Sequence, residues 1–380
     1  MSPAPITTTM ATTLQRSWPS LRPLLLLAAT ETAAVEGISA AGSTPASRRQ
    51  TAAADAELLQ LGPAQPLPHA LPPLPAGVSP ALISHVVLRD LGLLPRLQVV
   101  DLGCAVAPAV PHLRLPPAEG GSGARCLSSG AAMPLDRVRA LVQRGQQWGQ
   151  RWPAAEPLLL AECVPGGTST ALAVLVGLGV AAEGLVGGSL LQPVHSLKAA
   201  LAHQGLRNAG LAAPDPLATP HQQAARALAV LAAVGDPMQA LAAGLCLSLA
   251  MRRLPVMLAG GSQMAAVLAL ALALAPAEQR PALAAHTLIS TTAWLAADAS
   301  CDLPALLQQI GLRWQVAPQL SVAALRFGAC SHASLRDYER GYVKEGVGAG
   351  ALAWLWELSG RAPAALADAC DAAAWQLQRP

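Results

Sequence analysis

The segment PLLLAECVPGGTSTALAVLVGLGVAA, residues 157–182, indicates the fold most directly. A short apolar run ends at Glu162 and Cys163, a loop of glycine and hydroxyl residues follows, and a longer apolar run comes next. Buried parallel strands are continuous apolar runs, and strands that alternate with helices form parallel sheets. We therefore interpret this segment as a buried strand, a turn and a buried helix.

The same order recurs elsewhere in the chain. LPVMLAG, from residue 254, leads into GSQ and then into the apolar run MAAVLALALALA. Three further stretches are typical of buried strands, namely LRPLLLLAAT (21–30), RLQVVDLG (96–103) and AAHTLISTTAW (284–294). Together they predict an α/β fold with a Rossmann-like layered parallel sheet, flanking helices and a smaller lobe formed by the chain ends.

The composition sets the expected core and domain organisation. Of the 380 residues, 53% are hydrophobic but only 3% are aromatic, so the core must consist mainly of Ala, Leu and Val. We predict one large domain over residues 21–380, preceded by a disordered extension at 1–20 that is rich in Thr, Ser and Pro. The stretches 62–80, 105–123 and 203–222 are expected to be surface connections.

Charge and cysteine usage exclude several classes of function. The net charge is +3 and no basic block is present, which argues against nucleic acid as a partner and favours small-molecule substrates. Seven cysteines without a C-x-x-C pair, and eight histidines without an H-E-x-x-H pattern, predict neither a metal site nor a disulfide framework. The apolar runs at 164–182 and 264–277 are interrupted by loop residues or too short for a membrane span. We expect a cytoplasmic protein without a cofactor or a membrane contact.

Glycine-rich loops after two of the strands are candidates for phosphate binding. Glycine lets a phosphate approach the backbone, hydroxyls donate to it, and the next helix begins with unpaired N–H groups. A third glycine pair, Gly187 and Gly188, strengthens the interpretation, although each loop alone is equally typical of a tight turn. The candidate residues are Gly166, Gly167, Thr168, Ser169 and Thr170 in the first loop and Gly260, Gly261 and Ser262 in the second.

Charged residues near these loops have structural and functional interpretations. Glu162 is either a carboxylate that caps the loop or a group that binds a sugar hydroxyl. Asp236 precedes Pro237 at the start of an apolar segment, which is first of all an N-cap and secondarily a candidate site residue. Lys198 is either a phosphate counter-ion or a solvated lysine, and the nearby His195 is expected to be structural.

The segment RGYVKEGVGAGALAWLW, residues 340–356, contains a carboxylate among glycines and large apolar residues. If the helix begins within GAGALAWLW, Glu345 lies just ahead of it, where the helix dipole lowers the pKa of a carboxyl group. Burial against apolar residues raises the pKa. The sequence leaves open whether Glu345 is a solvated residue near a helix end or a buried general base.

Several stretches together resemble a known family. VEGISAAGSTPASRRQTAAADAELL, SPALISHVVL, AECVPGGTSTALAVLVGLG, VGDPMQALAAG, PVMLAGGSQM and GYVKEGVGAG resemble the nicotinate-nucleotide–dimethylbenzimidazole phosphoribosyltransferase family, in its UPF0284-type branch of cyanobacteria and archaea. The resemblance extends from about residue 22 to the C-terminus. It implies transfer of phosphoribose from nicotinate mononucleotide to 5,6-dimethylbenzimidazole or a purine, in the assembly of the cobalamin nucleotide loop.

The resemblance also implies roles for particular residues. Glu345, in the motif Glu345-Gly346-Val347-Gly348-Ala349, takes the position of the family's general base. The loop from Gly166 to Thr170, with Glu162 before it, corresponds to the loop that meets the mononucleotide. The turn formed by Gly260, Gly261 and Ser262 corresponds to the turn after the central strand. Gly346 and Gly348 enter the predicted site with the motif, and a homodimer is the expected assembly.

Two alternatives use the same residues. A nucleosidase or phosphorylase would cleave the same N-glycosidic bond with water or phosphate as acceptor, without a pocket for a second aromatic ring. A regulator that only binds a mononucleotide would have no need for the carboxylate in KEGVGAG.

Overall fold

The computed structural model describes residues 7–377 apart from 117, 120, 193, 212 and 216. The strands are β1 (Arg22–Leu27), β2 (Gln98–Asp101), β3 (Leu113–Arg114), β4 (Leu158–Cys163), β5 (Val256–Ala259), β6 (Thr287–Thr291) and β7 (Gln319–Val322). The α-helices are α1 (Thr7–Ser17), α2 (Pro45–Arg48), α3 (Thr51–Leu61), α4 (Ala81–Asp90), α5 (Leu135–Arg151), α6 (Gly167–Gly177), α7 (His195–Asn208), α8 (Pro220–Val234), α9 (Pro237–Met251), α10 (Ser262–Leu274), α11 (Arg280–Ala285), α12 (Ala293–Ala296), α13 (Leu303–Trp314), α14 (Ala333–Arg336), α15 (Ala349–Leu358) and α16 (Pro363–Leu377).

The seven strands form one sheet in the order β3-β2-β1-β4-β5-β6-β7, and every pairing is parallel. The predicted α/β fold with a layered parallel sheet is therefore confirmed. The strand order reverses between β1 and β4, where Leu26 pairs with Glu162 and Leu27 with Cys163. Because the chain leaves these two strands toward opposite sides, a crevice opens at their carboxyl ends.

Alternation along each strand divides the core between the two faces of the sheet. One face carries Leu24, Leu26, Leu158, Leu160, Val256 and Leu258 and is covered by helices that include α5, α6, α9 and α10. The other carries Leu25, Leu27, Leu159, Ala161, Met257 and Ala259 and is covered by α3, α4, α15 and α16. Burial of both faces explains why these strands are continuous apolar runs.

The N-terminal segment differs from the prediction of disorder over residues 1–20. Residues 7–17 form α1, whose Met10 and Leu14 side chains are buried in the same cluster as α15 and α16. These two apolar residues are one helical turn apart, a spacing that the surrounding Thr and Ser residues obscure. Residues 1–6 lie outside the described part of the chain.

Two predicted surface connections also contain regular structure. Within 203–222, α7 continues to Asn208 and α8 begins at Pro220. Within 105–123, the two-residue strand β3 pairs with the end of β2. The stretch 62–80 contains no helix or strand at its described positions, and nine of its last ten residues line a cavity. Among the described residues, no helix is long and apolar enough to cross a membrane.

Glycines allow the longest helix pair to pack backbone against backbone. A Cβ added at Gly145 of α5 would lie 2.2 Å from the carbonyl oxygen of Leu241 in α9. A Cβ added at Gly244 of α9 would lie 2.1 Å from the carbonyl oxygen of Val142 in α5. Because both neighbours are backbone atoms, neither can move aside without shifting a helix.

We therefore expect Gly244→Ala to destabilise the fold. Overpacking of this kind costs about 1–3 kcal/mol, although alanine favours a helix over glycine by about 1 kcal/mol. Denaturant unfolding followed by circular dichroism measures the net change. Gly328→Ala is the control, because a Cβ at Gly328 has no heavy atom within 4 Å. A midpoint for Gly244→Ala above that of wild type would contradict the close packing, because the gain in helix propensity would then be unopposed.

Candidate active site

A cavity of about 680 Å³ lies at the carboxyl ends of the central strands. It opens where β4, β5 and the segment before α15 come together, beside the reversal of strand order. Its lining comes from the segments 37–41, 51–55, 71–80, 162–168, 187–194, 261–263 and 342–347, with Leu295. This is the position at which open parallel sheets bind their ligands.

Glu345 lines this cavity and is held by four hydrogen bonds. Its Oε1 accepts from the backbone N–H groups of Gly346 (3.0 Å) and Gly350 (3.1 Å). Its Oε2 accepts from the Thr291 hydroxyl (2.8 Å) and the Thr292 N–H (2.9 Å). Burial raises the pKa of Glu345 above its ordinary value, although these hydrogen bonds act in the opposite direction. Of the two opposing effects expected from the sequence, burial is the larger.

Glu162 is the second-last residue of β4, at the wall of the same cavity, and its side chain is buried. Its Oε2 accepts from the Val164 N–H at 2.9 Å, which is the loop-capping contact considered from the sequence. Burial, reinforced by the nearby Asp236, raises the pKa of Glu162 to about 8. Glu345 lies within electrostatic range as well. At neutral pH a carboxyl group with such a pKa is mostly protonated and can donate a hydrogen bond into the cavity.

The first glycine loop borders the cavity through Gly166, Gly167 and Thr168. Gly166 has φ +82°, and a Cβ at Gly167 would lie 2.1 Å from Oε1 of Gln263. The second loop contributes Gly261 and Ser262. The Ser262 hydroxyl accepts a hydrogen bond from the Gly187 N–H at 3.0 Å, which joins this loop to the third glycine pair.

Lys198 is buried behind the glycine loops and is not a solvated lysine. Its Nζ donates to the Thr168 hydroxyl (3.0 Å) and to the carbonyl oxygen of Gly187 (2.7 Å). A Cβ at Gly188 would lie 2.7 Å from this ammonium, so the positive charge lies directly beneath the cavity wall. Burial lowers the pKa of Lys198 to about 8. His195 makes a contact of 2.8 Å through Nε2 to the carbonyl oxygen of Ser300, in keeping with a structural residue.

Other predicted site residues lie behind the cavity wall. Asp236 is fully buried as the N-cap of α9, and its Oδ2 accepts from the Thr170 hydroxyl at 2.6 Å. Ser169 is also fully buried, because each step along α6 turns the side chain by about 100° away from Thr168. Neither Gly260 nor Gly348 borders the cavity; a Cβ at Gly348 would lie 2.8 Å from Cβ of Ala161. These residues support the loops from behind.

Residues that sequence reasoning missed complete the cavity. Asp55 of α3 is 6% exposed, and its Oδ1 accepts from the Ser79 hydroxyl at 2.6 Å. Its Oδ2 faces the Cys163 thiol at 3.4 Å, and burial raises the pKa of Asp55 to about 6. An acidic residue within the alanine run TAAADAELL was the available signal, since only 12% of the chain is charged. Gln263 gave no such signal, whereas Lys344 stood beside Glu345 in a run of glycine and apolar residues.

The fold and this cavity suit a phosphoribosyltransferase. A family model described as Phosphoribosyltransferase matches residues 92–307, more than half of the chain, and the chain belongs to this family. Within it, the chain is similar to the UPF0284 proteins of Parasynechococcus marenigrum (strain WH8102), at 51% identity, and Prochlorococcus marinus (strain MIT 9313), at 48%. Each alignment spans 360 residues and covers 93% of this chain and 86% of the relative. The family resemblance seen in the sequence is confirmed.

Solved structures share the fold at lower identity. CobT from Thermus thermophilus has a TM-score of 0.54 at 17% identity, covering 97% of this chain and 92% of that chain. A nicotinate-nucleotide-dimethylbenzimidazole phosphoribosyltransferase from the same organism also has a TM-score of 0.54, at 18% identity, covering 100% and 95%. At this identity the similarity establishes the common fold.

The raised pKa of Glu162 predicts a pH-dependent stability. Its folded pKa of about 8 lies above the ordinary value of 4.5, so between these limits the folded chain binds more protons than the unfolded chain. Stability therefore falls as pH rises through this window, by ~4 kcal/mol from this group. Glu162→Gln cannot ionise and should lose less stability between about pH 5.5 and about pH 8.

Urea unfolding at both pH values measures this difference. Asp55, with a pKa raised to about 6, contributes a similar loss in both proteins and cancels in the comparison, whereas Asp236, also with a pKa raised to about 6, is coupled to Glu162 and forms part of the measured difference. Equal losses in wild type and Glu162→Gln would show that Glu162 ionises normally.

Proposed function

We propose that this phosphoribosyltransferase moves the phosphoribosyl group of nicotinate mononucleotide to a ring nitrogen of an aromatic base, releasing nicotinate. The acceptor is 5,6-dimethylbenzimidazole or a purine, and the product serves the assembly of a cobalamin nucleotide loop. The observation that carries the proposal is Glu345, a carboxylate of raised pKa that is fixed at the wall of a cavity large enough for two ring systems. A protein that only bound a mononucleotide would not need this group.

The glycine loops suit the phosphate of the donor. Thr168, Gly188 and Ser189 line one part of the cavity, and the buried ammonium of Lys198 lies directly behind the first two. No carboxylate accepts a hydrogen bond from Lys198 in the described part of the chain. Its charge is therefore available to a phosphate, and low exposure strengthens the attraction.

The proposed chemistry needs one base and no metal or cofactor. The glycosidic bond of the donor is to a pyridinium nitrogen, so the bonding electron pair returns to that ring and nicotinate leaves without a general acid. The unprotonated ring nitrogen of the incoming base attacks the anomeric carbon, and the proton on the other nitrogen of that ring passes to Glu345. The carboxylate also stabilises the positive charge that develops on the ribose in the transition state.

The hydrogen bonds around Glu345 indicate how it takes the proton. An ionised carboxylate has about four acceptor positions, and all four are occupied in the structure. Three donors are backbone N–H groups, whose directions are fixed, but the Thr291 hydroxyl can rotate. If that O–H turns away, Oε2 can accept the substrate proton and then donate it toward the Thr291 oxygen.

The first test is turnover with nicotinate mononucleotide and either base, with nicotinate and ribotide separated by chromatography. Glu345→Gln should lower kcat by about 10²–10⁴-fold, the usual contribution of a general base. Glu357→Gln is the matched control: Glu357 lies in α15, burial also raises its pKa, and it does not border the cavity. Nicotinate released without ribotide would instead indicate a hydrolase, and no turnover would favour a binding protein.

Asp55 offers a way to decide between the acceptors. Its carboxyl lies at the apolar wall formed by segment 71–80, where, among the described residues, it accepts only from Ser79 and the weak donor Cys163. Asp55 would repel the carboxylate of nicotinate. An amino group on the acceptor would instead donate to the unoccupied acceptor positions of the Asp55 oxygens. Dimethylbenzimidazole has methyl groups and offers no such donor.

We therefore expect Asp55→Asn to lower kcat/KM for adenine by about 10–100-fold, the range for a hydrogen bond to a charged group. Purine, which lacks only the amino group, should be affected much less. Asparagine keeps an acceptor for the Ser79 hydroxyl, so the fold is preserved. Equal losses for adenine and purine would exclude recognition of the amino group by Asp55.

A further inference from the structure

The loop before α15 has an unusual backbone. Besides its glycines, Val343, Lys344 and Val347 have φ angles of +65°, +65° and +52°. The Lys344 N–H donates to the carbonyl oxygen of Tyr342 and the Glu345 N–H to that of Val343, both at 2.8 Å. Hydrogen bonds across three residues with a central φ near +65° define two successive classic γ-turns, which are rare and strained. A β-branched residue at positive φ is a further strain.

A strained segment persists only when contacts elsewhere fix it. Lys344 supplies these contacts: its Nζ lies 2.5 Å from Oδ2 of Asp298, with the two side chains 3% and 10% exposed. The other carboxylate oxygen of Asp298 accepts from the Ser300 N–H (3.0 Å) and hydroxyl (2.8 Å). These two hydrogen bonds fix the position of the Asp298 side chain. The carbonyl oxygen of Lys344 accepts from the Thr292 hydroxyl.

The same contacts determine where Glu345 lies. Thr292 donates through its hydroxyl to Lys344 and through its N–H to Oε2 of Glu345, so the two neighbours are bound to one residue at the end of β6. A buried ion pair contributes little net stability because desolvation offsets its attraction. A gain in stability therefore does not explain why this lysine and aspartate are buried. The ion pair explains more directly why the loop has a fixed position.

We propose that the Lys344–Asp298 ion pair is a positioning device that holds the two γ-turns so that the Glu345 carboxylate faces the cavity. Lys344 and Asp298 act through Glu345 and touch no reacting atom. The inference rests on the proposed function of Glu345 as the base. It predicts an effect on kcat that stability alone does not explain.

The test uses Lys344→Met, Asp298→Asn, the double variant and Lys344→Gly. Each single substitution leaves one buried polar or charged group without its partner, whereas the double variant removes the pair together. Lys344→Gly removes the ion pair with Asp298, but glycine adopts φ +65° without strain. Arg144→Met is the matched control, because Arg144 pairs with Glu119 at 2.8 Å away from the cavity.

We expect the double variant to recover stability relative to the single variants while its kcat stays about 100-fold below wild type, the loss typical of a base displaced by about 1 Å. KM for the mononucleotide should change little, and Lys344→Gly should retain more kcat than Lys344→Met. A double variant that regains kcat together with stability would overturn the inference, as would wild-type kcat in Lys344→Met.

Amide hydrogen exchange gives a second measurement that needs no turnover. Peptides covering residues 341–350 should exchange faster in the double variant than in wild type and Arg144→Met, with the rest of the chain unchanged. Unaltered exchange in this segment would overturn the positioning role. If wild type fails to act on the mononucleotide, the proposed function fails, and the exchange result still decides whether the ion pair holds the loop.

Discussion

The carboxylate of Glu345 connects the end of β6 to the beginning of α15. Thr291 and Thr292 donate to one of its oxygens, and Gly346 and Gly350 donate to the other. A Cβ at Gly350 would lie 2.2 Å from the backbone at Thr291 and Thr292, so strand and helix meet here without a side chain between them. The glycines around Glu345 therefore donate hydrogen bonds to its carboxylate and also allow the turn. Burial shields the carboxylate from water, and the four hydrogen-bond donors fix its position.

Acidic and basic side chains lie on different sides of the cavity. Asp55, Glu162 and Glu345 line it, and no cation in the described part of the chain forms an ion pair with any of them. Lys198 lies on the side of the glycine loops, and Lys344 is already neutralised by Asp298. A ligand with a phosphate at one end and a cationic ring at the other complements this distribution. Nicotinate mononucleotide, the proposed donor, carries a phosphate and a pyridinium ring.

Helices and loops of this molecule pack through closely approaching backbones, and few aromatic side chains fill its core. Gly145 and Gly244 bring α5 against α9, and Gly167 admits the side chain of Gln263 beside the first loop. The few aromatic residues include Trp294, Phe327 and Tyr338, whose ring centroids lie 4.9–5.4 Å apart in the cluster beneath α15. The Tyr338 hydroxyl donates to the carbonyl oxygen of Val78, which fixes one end of the apolar cavity wall. Small residues thus bring the elements together, and a single aromatic cluster supports the wall next to the site.

The sequence by itself determined the layered parallel sheet, because strands buried on both faces must be continuous apolar runs, and it indicated Glu345, Glu162 and the glycine loops through their position after those strands. It could not determine which side chains face the cavity: Thr168 does, whereas Thr170 and Asp236 bond to each other behind it. The position of each residue around its helix decides which side chains face the cavity. Asp55 lines the cavity because α3, which is distant in sequence, packs beside it. The protonation of the carboxyl groups was likewise decided by the tertiary structure, because burial depends on segments more than a hundred residues apart. The strained turns at Val343 and Lys344 have the same origin, since the distant Asp298 and Thr292 hold them.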